Sequence, residues 1–442
     1  MSGNNWKGVP RRGFMSMAGG VAAGTALATS FPRLTTPAMA QSMPSVPQKS
    51  VTLASNPYTN HAWVVLAERL GYLADVGITL ETGDPKVVLI QQSVPQLQNR
   101  EIDMSTMYVG LVTSALDKLP DIKPFFVYSY WAGNTILTGP DTDFKTVDDF
   151  IDEGMPWEEA AAAAMAQLEG QEIAVPPNPS TYPWMNLAYS FAGLTMEDSE
   201  TVAIEDPKAV QLAVSGRIPF AAPGGAVQIY QLQHQAGWRP VMSTGQMLKY
   251  ETASAGSAVN NVLNYDLCIT TQSYIDENRD TVLRMCSALY RTLDVMFGPN
   301  QQEVLSTYAP FINAHAGSEL DADAIKFIFE VLDPFFLWKD QEKLWTDPAY
   351  NLHYENIYEF QIRKYIENGT IADQDYDLES FFQAKNIWME MDGQRKQADA
   401  LIASAAGQTL SEDRQAIFDA GRAHYDGYNF LDAVRFLEAA LA

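Results

Sequence analysis

Val51-Thr52-Leu53-Ala54-Ser55-Asn56-Pro57 opens the folded part of the chain as a short apolar run cut by a turn. The apolar face that follows, Trp63, Leu66, Ala67 and Leu70, has helical spacing. It predicts one helix over 61–73, punctuated by Gly71 and Gly77 before Ile78-Thr79-Leu80 returns as a strand. Residues 87–99 read as a second helix that Pro95 should kink, and 102–107 as a second buried strand. Strands alternating with helices argue for a parallel sheet covered on both faces.

The layout returns further on. Glu172-Ile173-Ala174-Val175 is a strand, 176–181 a breaker loop, and 182–192 a helix closed by Gly193. Strands at 202–205 and 218–222 flank a helix at 207–215, so two similar α/β lobes are implied. Between them the acidic stretch 143–168, with Ala160 to Ala164 inside it, reads as an exposed helical insertion. From residue 276 onward the pattern is mostly helical, including 281–296 and 357–366.

Composition narrows the function. The 442 residues include 54 acidic and 29 basic side chains, a formal charge of -25, which repels phosphate backbones and makes nucleic acid a poor partner. Two cysteines and five scattered histidines build neither a disulfide framework nor a metal site, so no metal and no cofactor is expected. The first forty residues hold four basic and no acidic side chains. Arg11-Arg12-Gly13-Phe14-Met15, a weakly apolar run and Ala38-Met39-Ala40 look like a twin-arginine export signal, with Pro10 where Ser or Thr is usual. Cleavage after Ala40 and a periplasmic protein beginning at Gln41 are expected.

An ordered succession of segments then carries a resemblance. Ala67-x3-Gly71-Tyr72-x4-Gly77-Ile78, followed by Leu97-Gln98-Asn99-Arg100-Glu101-Ile102-Asp103, resembles the opening of ABC-transporter solute-binding proteins of the nitrate, taurine, alkanesulfonate and thiamine-precursor group. Leu168-Glu169-Gly170-Gln171-Glu172-Ile173-Ala174-Val175, Ala192-Gly193-Leu194 and Ser215-Gly216-Arg217-Ile218 are similar to that group's second lobe, with Pro219 in place of its usual Asp. The resemblance implies a two-lobed periplasmic-binding-protein fold with two interlobe crossings and a ligand enclosed between the lobes. The expected boundaries are 41–142 with 259–394 for lobe 1, 143–258 for lobe 2 and 395–442 for a C-terminal helical extension. It further implies an ABC permease in the inner membrane as partner, and no catalysis.

In open α/β sheets a ligand sits at the carboxyl ends of the strands. The candidate ligand-binding residues there are Asn56, Tyr58, His61, Trp63 and Tyr108, then Tyr130 and Trp131 on the crossing. In the second lobe they are Ser180, Thr181, Tyr182, Trp184 and Gly224. Trp63 and Trp184, one turn inside helices, suit a core as well as a cleft wall. Asp206 would meet an amine or brace its own helix. Residues 51–66, 105–116, 126–142 and 174–195 contain no Lys or Arg. Aromatic walls without a basic clamp favour a neutral or cationic ligand, aromatic or amine, over a sulfonate or nitrate. Helix N-termini with Ser180 and Thr181 hydroxyls keep the small-anion reading open.

Two other classes compete. A nucleophile elbow of the Gly-x-Ser-x-Gly type is absent, and the cysteine-rich run of the pyrimidine synthases that share this fold is missing. A ligand-sensing partner of a membrane receptor is the third reading. The stretch 420–441 looks like one tetratricopeptide-type hairpin, which must pack on the body or serve self-association.

Overall fold

The structure is a computed structural model that describes residues 43–176, 182–250, 259 and 262–442. The expected leader 1–40 lies outside them. Among the described residues the strands are β1 (Lys49–Val51), β2 (Leu53–Ser55), β3 (Ile78–Leu80), β4 (Lys86–Val87), β5 (Met104–Tyr108), β6 (Ile122–Tyr130), β7 (Thr135–Thr138), β8 (Glu172–Val175), β9 (Glu200–Ala203), β10 (Phe220–Ala221), β11 (Arg239–Ser243) and β12 (Tyr265–Thr271). They form two five-stranded sheets, ordered β4-β2-β5-β12-β6 and β11-β7-β10-β8-β9, while β1 and β3 pair separately. In the first sheet β2 is parallel to β4 and β5, and β12 runs antiparallel between β5 and β6. In the second, β8 is parallel to β9 and β10, and β7 is antiparallel to β10 and β11.

Four residues, Trp131 to Asn134, carry the chain from β6 to β7 and so from one sheet to the other. The return runs from the helix Thr244–Tyr250 to β12, and the Trp131 N–H donates to Asn264 O at 2.9 Å, tying the two crossings together. This topology corrects the expected boundaries. β7 belongs to the second sheet, so the first boundary falls at 131–134 and not at 142. Val259 and Val262 pack in the second-lobe core, so the first lobe resumes only at Leu263. Sequence alone hid this because β7, the four residues Thr135-Ile136-Leu137-Thr138, is buried throughout and suits either sheet.

Other expectations shift in detail. The run over 61–73 is three short helices, Thr59–Ala62, Val65–Arg69 and Tyr72–Asp75, and Gly71, at a left-handed φ of +78°, makes the second of the two breaks. Pro95 is accommodated inside the helix Ile90–Gln98. The stretch 143–168 is not an exposed insertion. Its helices Val147–Asp152 and Trp157–Ala166 bury Val147, Ala160, Ala161, Ala164 and Met165 in the second-lobe core, and Leu168 just beyond them joins it. Alanines on one face let that helix approach closely, while its acidic residues stay outside.

Long helices cover the first lobe, chiefly Arg279–Met296, Gln301–Ala316 and Gln383–Ser404. The C-terminal pair Glu412–Asp426 and Phe430–Leu441 meets so closely at Gly421 that a Cβ there would lie 2.9 Å from Leu437 Cγ. This hairpin packs on the chain's own body. Arg284 Nε and Nη2 reach the two carboxylate oxygens of Asp432 at 2.8 Å each, Ser287 Oγ donates to Gly427 O, and Trp338 lies 5.3 Å from the Phe430 ring. Cys268 and Cys286 are buried free thiols. No helix among the described residues is long and apolar enough to cross a membrane.

Candidate functional site

At the carboxyl end of β2 the chain turns at Asn56, whose side chain is fully buried. Its N–H donates to Thr106 Oγ1 at 3.1 Å, and Nδ2 donates to Val88 O and Ser93 Oγ. Nδ2 is thereby fixed as the donor, which leaves Oδ1 to accept from His61 Nδ1 at 2.9 Å. The other ring nitrogen of His61, Nε2, lies 2.9 Å from Asp266 Oδ1. One proton therefore sits between His61 and Asp266, on whichever partner, and both ring nitrogens are engaged. His61 is 2% exposed and Asp266 3%.

Asp266 stands second in β12, opposite Tyr108 of β5 and Ser129 of β6. Asn60 Nδ2 donates to its Oδ2 at 3.0 Å, and Ser129 Oγ approaches the same oxygen at 3.5 Å. A second carboxyl lies next to it. Asp333 follows a π-helical turn, Ile328–Leu332, and its N–H donates to Ile328 O at 2.8 Å. Its side chain is 0% exposed, and Asp266, Ser129 and Asn60 lie close enough to act on its proton, yet none makes a well-formed hydrogen bond to either carboxyl oxygen. Burial pushes its carboxyl far above the usual carboxylate range, and the charge of Asp266 adds to that. No Lys or Arg pairs with either carboxyl among the described residues.

The segment that delivers Asp333 is built into the crossing. Ala132 N–H donates to Leu332 O, Tyr130 N–H to Pro334 O, and Phe336 N–H to Tyr128 O. Tyr58 is 50% exposed, its ring edge-on to His61 at 5.6 Å. Tyr108 caps the helix Val109–Thr113 and its ring lies over Gly110, where any side chain would collide with it. Tyr130 lies 5.5 Å from Phe336, and Trp131 Nε1 donates to Asn134 Oδ1 at 3.2 Å. Burial raises the Tyr108 and Tyr130 hydroxyls well above their ordinary value, so both stay neutral.

The structure thus brings Asn56, Tyr58, His61, Tyr108, Tyr130 and Trp131 to one end of the first sheet and its crossing. Trp63 departs from the expectation. It is fully buried, edge-on to Tyr128 at 5.2 Å and Phe335 at 5.7 Å, so it is a core residue. Trp184 likewise is buried in the second-lobe core. Tyr182 is half-buried at the start of the helix Tyr182–Ser190, and Ser180 and Thr181 lie outside the described residues. The Gly224 N–H donates to both carboxylate oxygens of Asp206 at 3.2 Å, so that carboxylate braces the loop that follows β10.

From the second lobe, the helix Ala226–Tyr230 buries Ile229 in the first-lobe core. Tyr230 lies 5.8 Å and His234 4.2 Å from the Phe327 ring. These contacts meet the same π-helical turn that leads to Asp333 and touches the helix carrying His61. Sequence reading missed Asp266, Asp333, Asn60 and Ser129. The signal for Asp266 was a lone carboxylate inside the apolar run Tyr265-Asp266-Leu267-Cys268-Ile269. For Asp333 it was a carboxylate wedged between Leu332 and Pro334-Phe335-Phe336.

No protein-family model matches the chain, and no curated protein matches it in sequence. Solved structures do. The periplasmic aliphatic sulphonate binding protein SsuA from Escherichia coli is 12% identical at a TM-score of 0.50, covering 75% of this chain and 91% of that one. A putative periplasmic sulfonate-binding protein SsuA from Methylobacillus flagellatus KT is 14% identical at a TM-score of 0.51, covering 78% and 95%. The chain therefore has the two-lobed α/β fold of periplasmic solute-binding proteins, as the segment order predicted.

Proposed function

We propose that this chain is the periplasmic solute-binding component of an ABC importer. It captures a small neutral or cationic organic molecule between its lobes and hands it to a membrane permease. The observation that carries this reading is the state of His61. An imidazole acting as a general base needs a free ring nitrogen within reach of a substrate proton. Here Nδ1 is held by Asn56 and Nε2 by Asp266, in a buried network. Such a network holds a fixed surface, with both ring nitrogens of His61 committed inside it, which supports binding over turnover.

The surroundings support the ligand class. Tyr108 and Tyr130 stand near two carboxyls with no basic side chain paired to them, and Tyr58 lies edge-on to the His61 that meets one of them, which favours planar or positively charged solutes over anions. In this reading the segment 1–40 directs export and is removed after Ala40, which N-terminal sequencing of the exported protein tests.

The deciding experiment is a thermal-shift screen of the mature chain against amines, pyrimidines, sulfonates and nitrate, since a ligand that binds the native state alone raises its melting temperature. A saturable shift with an amine or pyrimidine recovered unchanged supports the proposal. Conversion of the compound by the chain alone refutes it.

A further inference from the structure

We infer that the floor of the first lobe is an ammonium subsite, in which Asp333, beside Asp266, exchanges its carboxyl proton for the cationic head of an organic amine. The inference rests on the solute-binding reading above and narrows its ligand class.

Asp333 carries the argument. Buried polar atoms are almost always paired, yet no described residue makes a well-formed hydrogen bond to either oxygen of this fully buried carboxyl, which Ser129, Asn60 and Asp266 only flank. Its neighbours across the site are engaged elsewhere: Asn60 donates to Asp266, and Asp266 meets His61. The shortfall in hydrogen bonding is shared by Asp333 and the neighbouring Tyr128 hydroxyl, which also lacks a partner among the described residues. Its backbone is set by the π-helical turn Ile328–Leu332, a rare geometry that recurs at functional sites, and this turn is the element that the second lobe touches.

The titratable groups around it are few. The helix Thr59–Ala62 presents His61, β12 presents Asp266, and β6 presents Tyr128 and Tyr130. Tyr308, from the helix Gln301–Ala316, stands beside Tyr128, and its hydroxyl donates to Thr59 O. Burial drives all three tyrosine hydroxyls upward, so they remain neutral. A buried carboxylate with no cation beside it is too costly to persist, so burial and the charge of Asp266 hold Asp333 as the acid.

An alkylammonium supplies what is missing. It has N–H donors for the two bare oxygens and a positive charge that permits ionisation. The exchange balances: the carboxylic acid and the ammonium give a carboxylate–ammonium pair and one proton released to solvent. Neutral alcohols cannot drive that exchange, and sulfonates meet two carboxyls with no cation to offset them.

The test is titration calorimetry of the mature chain with benzylamine, aminomethylpyrimidine and putrescine, each beside the matching neutral alcohol and sulfonate. An amine should bind at least tenfold tighter than its alcohol. Heats in two buffers of different ionisation enthalpy should show close to one proton released per amine bound. Lowering the pH through the titration of Asp333 should weaken the amine tenfold per unit. Asp333→Asn, which keeps the shape, should lose the preference for the amine while the alcohol's affinity stays put. A tighter sulfonate or alcohol, or amine binding without proton release, overturns the ammonium assignment and leaves the solute-binding reading standing. No saturable binding by any member, or chemical conversion of one, overturns both.

Discussion

His61 and Asp266 are 205 residues apart in sequence, and their side chains meet at 2.9 Å in a network that is almost fully buried. The contact joins the first βα turn to the first strand after the return crossing. It therefore forms only when the chain has left the first lobe, built the second and come back. Removing Asp266 leaves the Asn60 amide and the His61 ring without their partner.

Asp266→Ala should accordingly destabilise the chain by about 1–3 kcal/mol for each buried donor it orphans. Asp266→Asn, which can still accept from Asn60, should cost less. Urea denaturation of the three proteins side by side measures both effects.

Asp333 sets a pH dependence of the opposite hand to most carboxylates. Its folded-state value is raised, so above the ordinary carboxylate value of 3.8 the unfolded chain has lost a proton that the folded chain retains. Stability from this group is thus present at low pH and declines as pH rises, by at most about 1.4 kcal/mol per unit until the folded-state value is passed. Melting temperatures of the wild type and Asp333→Asn measured from pH 4.5 to 8 should diverge, with the wild type losing ground to the variant as pH rises.

Arg284 and Asp432 fasten the C-terminal hairpin to the body through two 2.8 Å bonds between buried side chains. Asp432→Ala should cost about 3–5 kcal/mol, because a buried guanidinium loses its counter-charge. Exchange of the amides in 412–441 should accelerate before that of β12. Burial acts to raise the Asp432 carboxyl, but hydrogen bonds and charge from Arg284 outweigh it and hold it below 3.8. Its contribution is present above that value and is lost as pH falls through the lower folded-state value.

Two aromatic residues five positions apart should part company under mutation. Trp63→Ala removes a fully buried ring between Tyr128 and Phe335 and should cost about 3–5 kcal/mol. Tyr58→Ala, at a half-exposed ring beside His61, should leave the melting temperature nearly unchanged and weaken ligand binding severalfold. Differential scanning calorimetry with and without ligand separates the two.

Much of this architecture was legible from apolar runs, helical spacing and glycine punctuation, because those patterns report local backbone form. Asn56, Tyr58 and His61 could be placed because a turn after a buried strand falls at a sheet's carboxyl edge. Trp63 and Trp184 could not, since helical spacing says that a face is apolar and not which surface it meets. The acidic stretch 143–168 misled because its alanines, small enough to look surface-compatible, form the buried stripe. Asp266 and Asp333 escaped because their role depends on two segments that converge only through the return crossing and the π-helical turn.

Equilibrium dialysis of the mature chain against a mixed pool of small amines and pyrimidines, with mass spectrometry of what the protein retains and releases on denaturation, tests the central claim most directly. The account predicts saturable retention of one solute per chain, released with its mass unchanged. Retention of nothing, or release of a chemically altered compound, would contradict it.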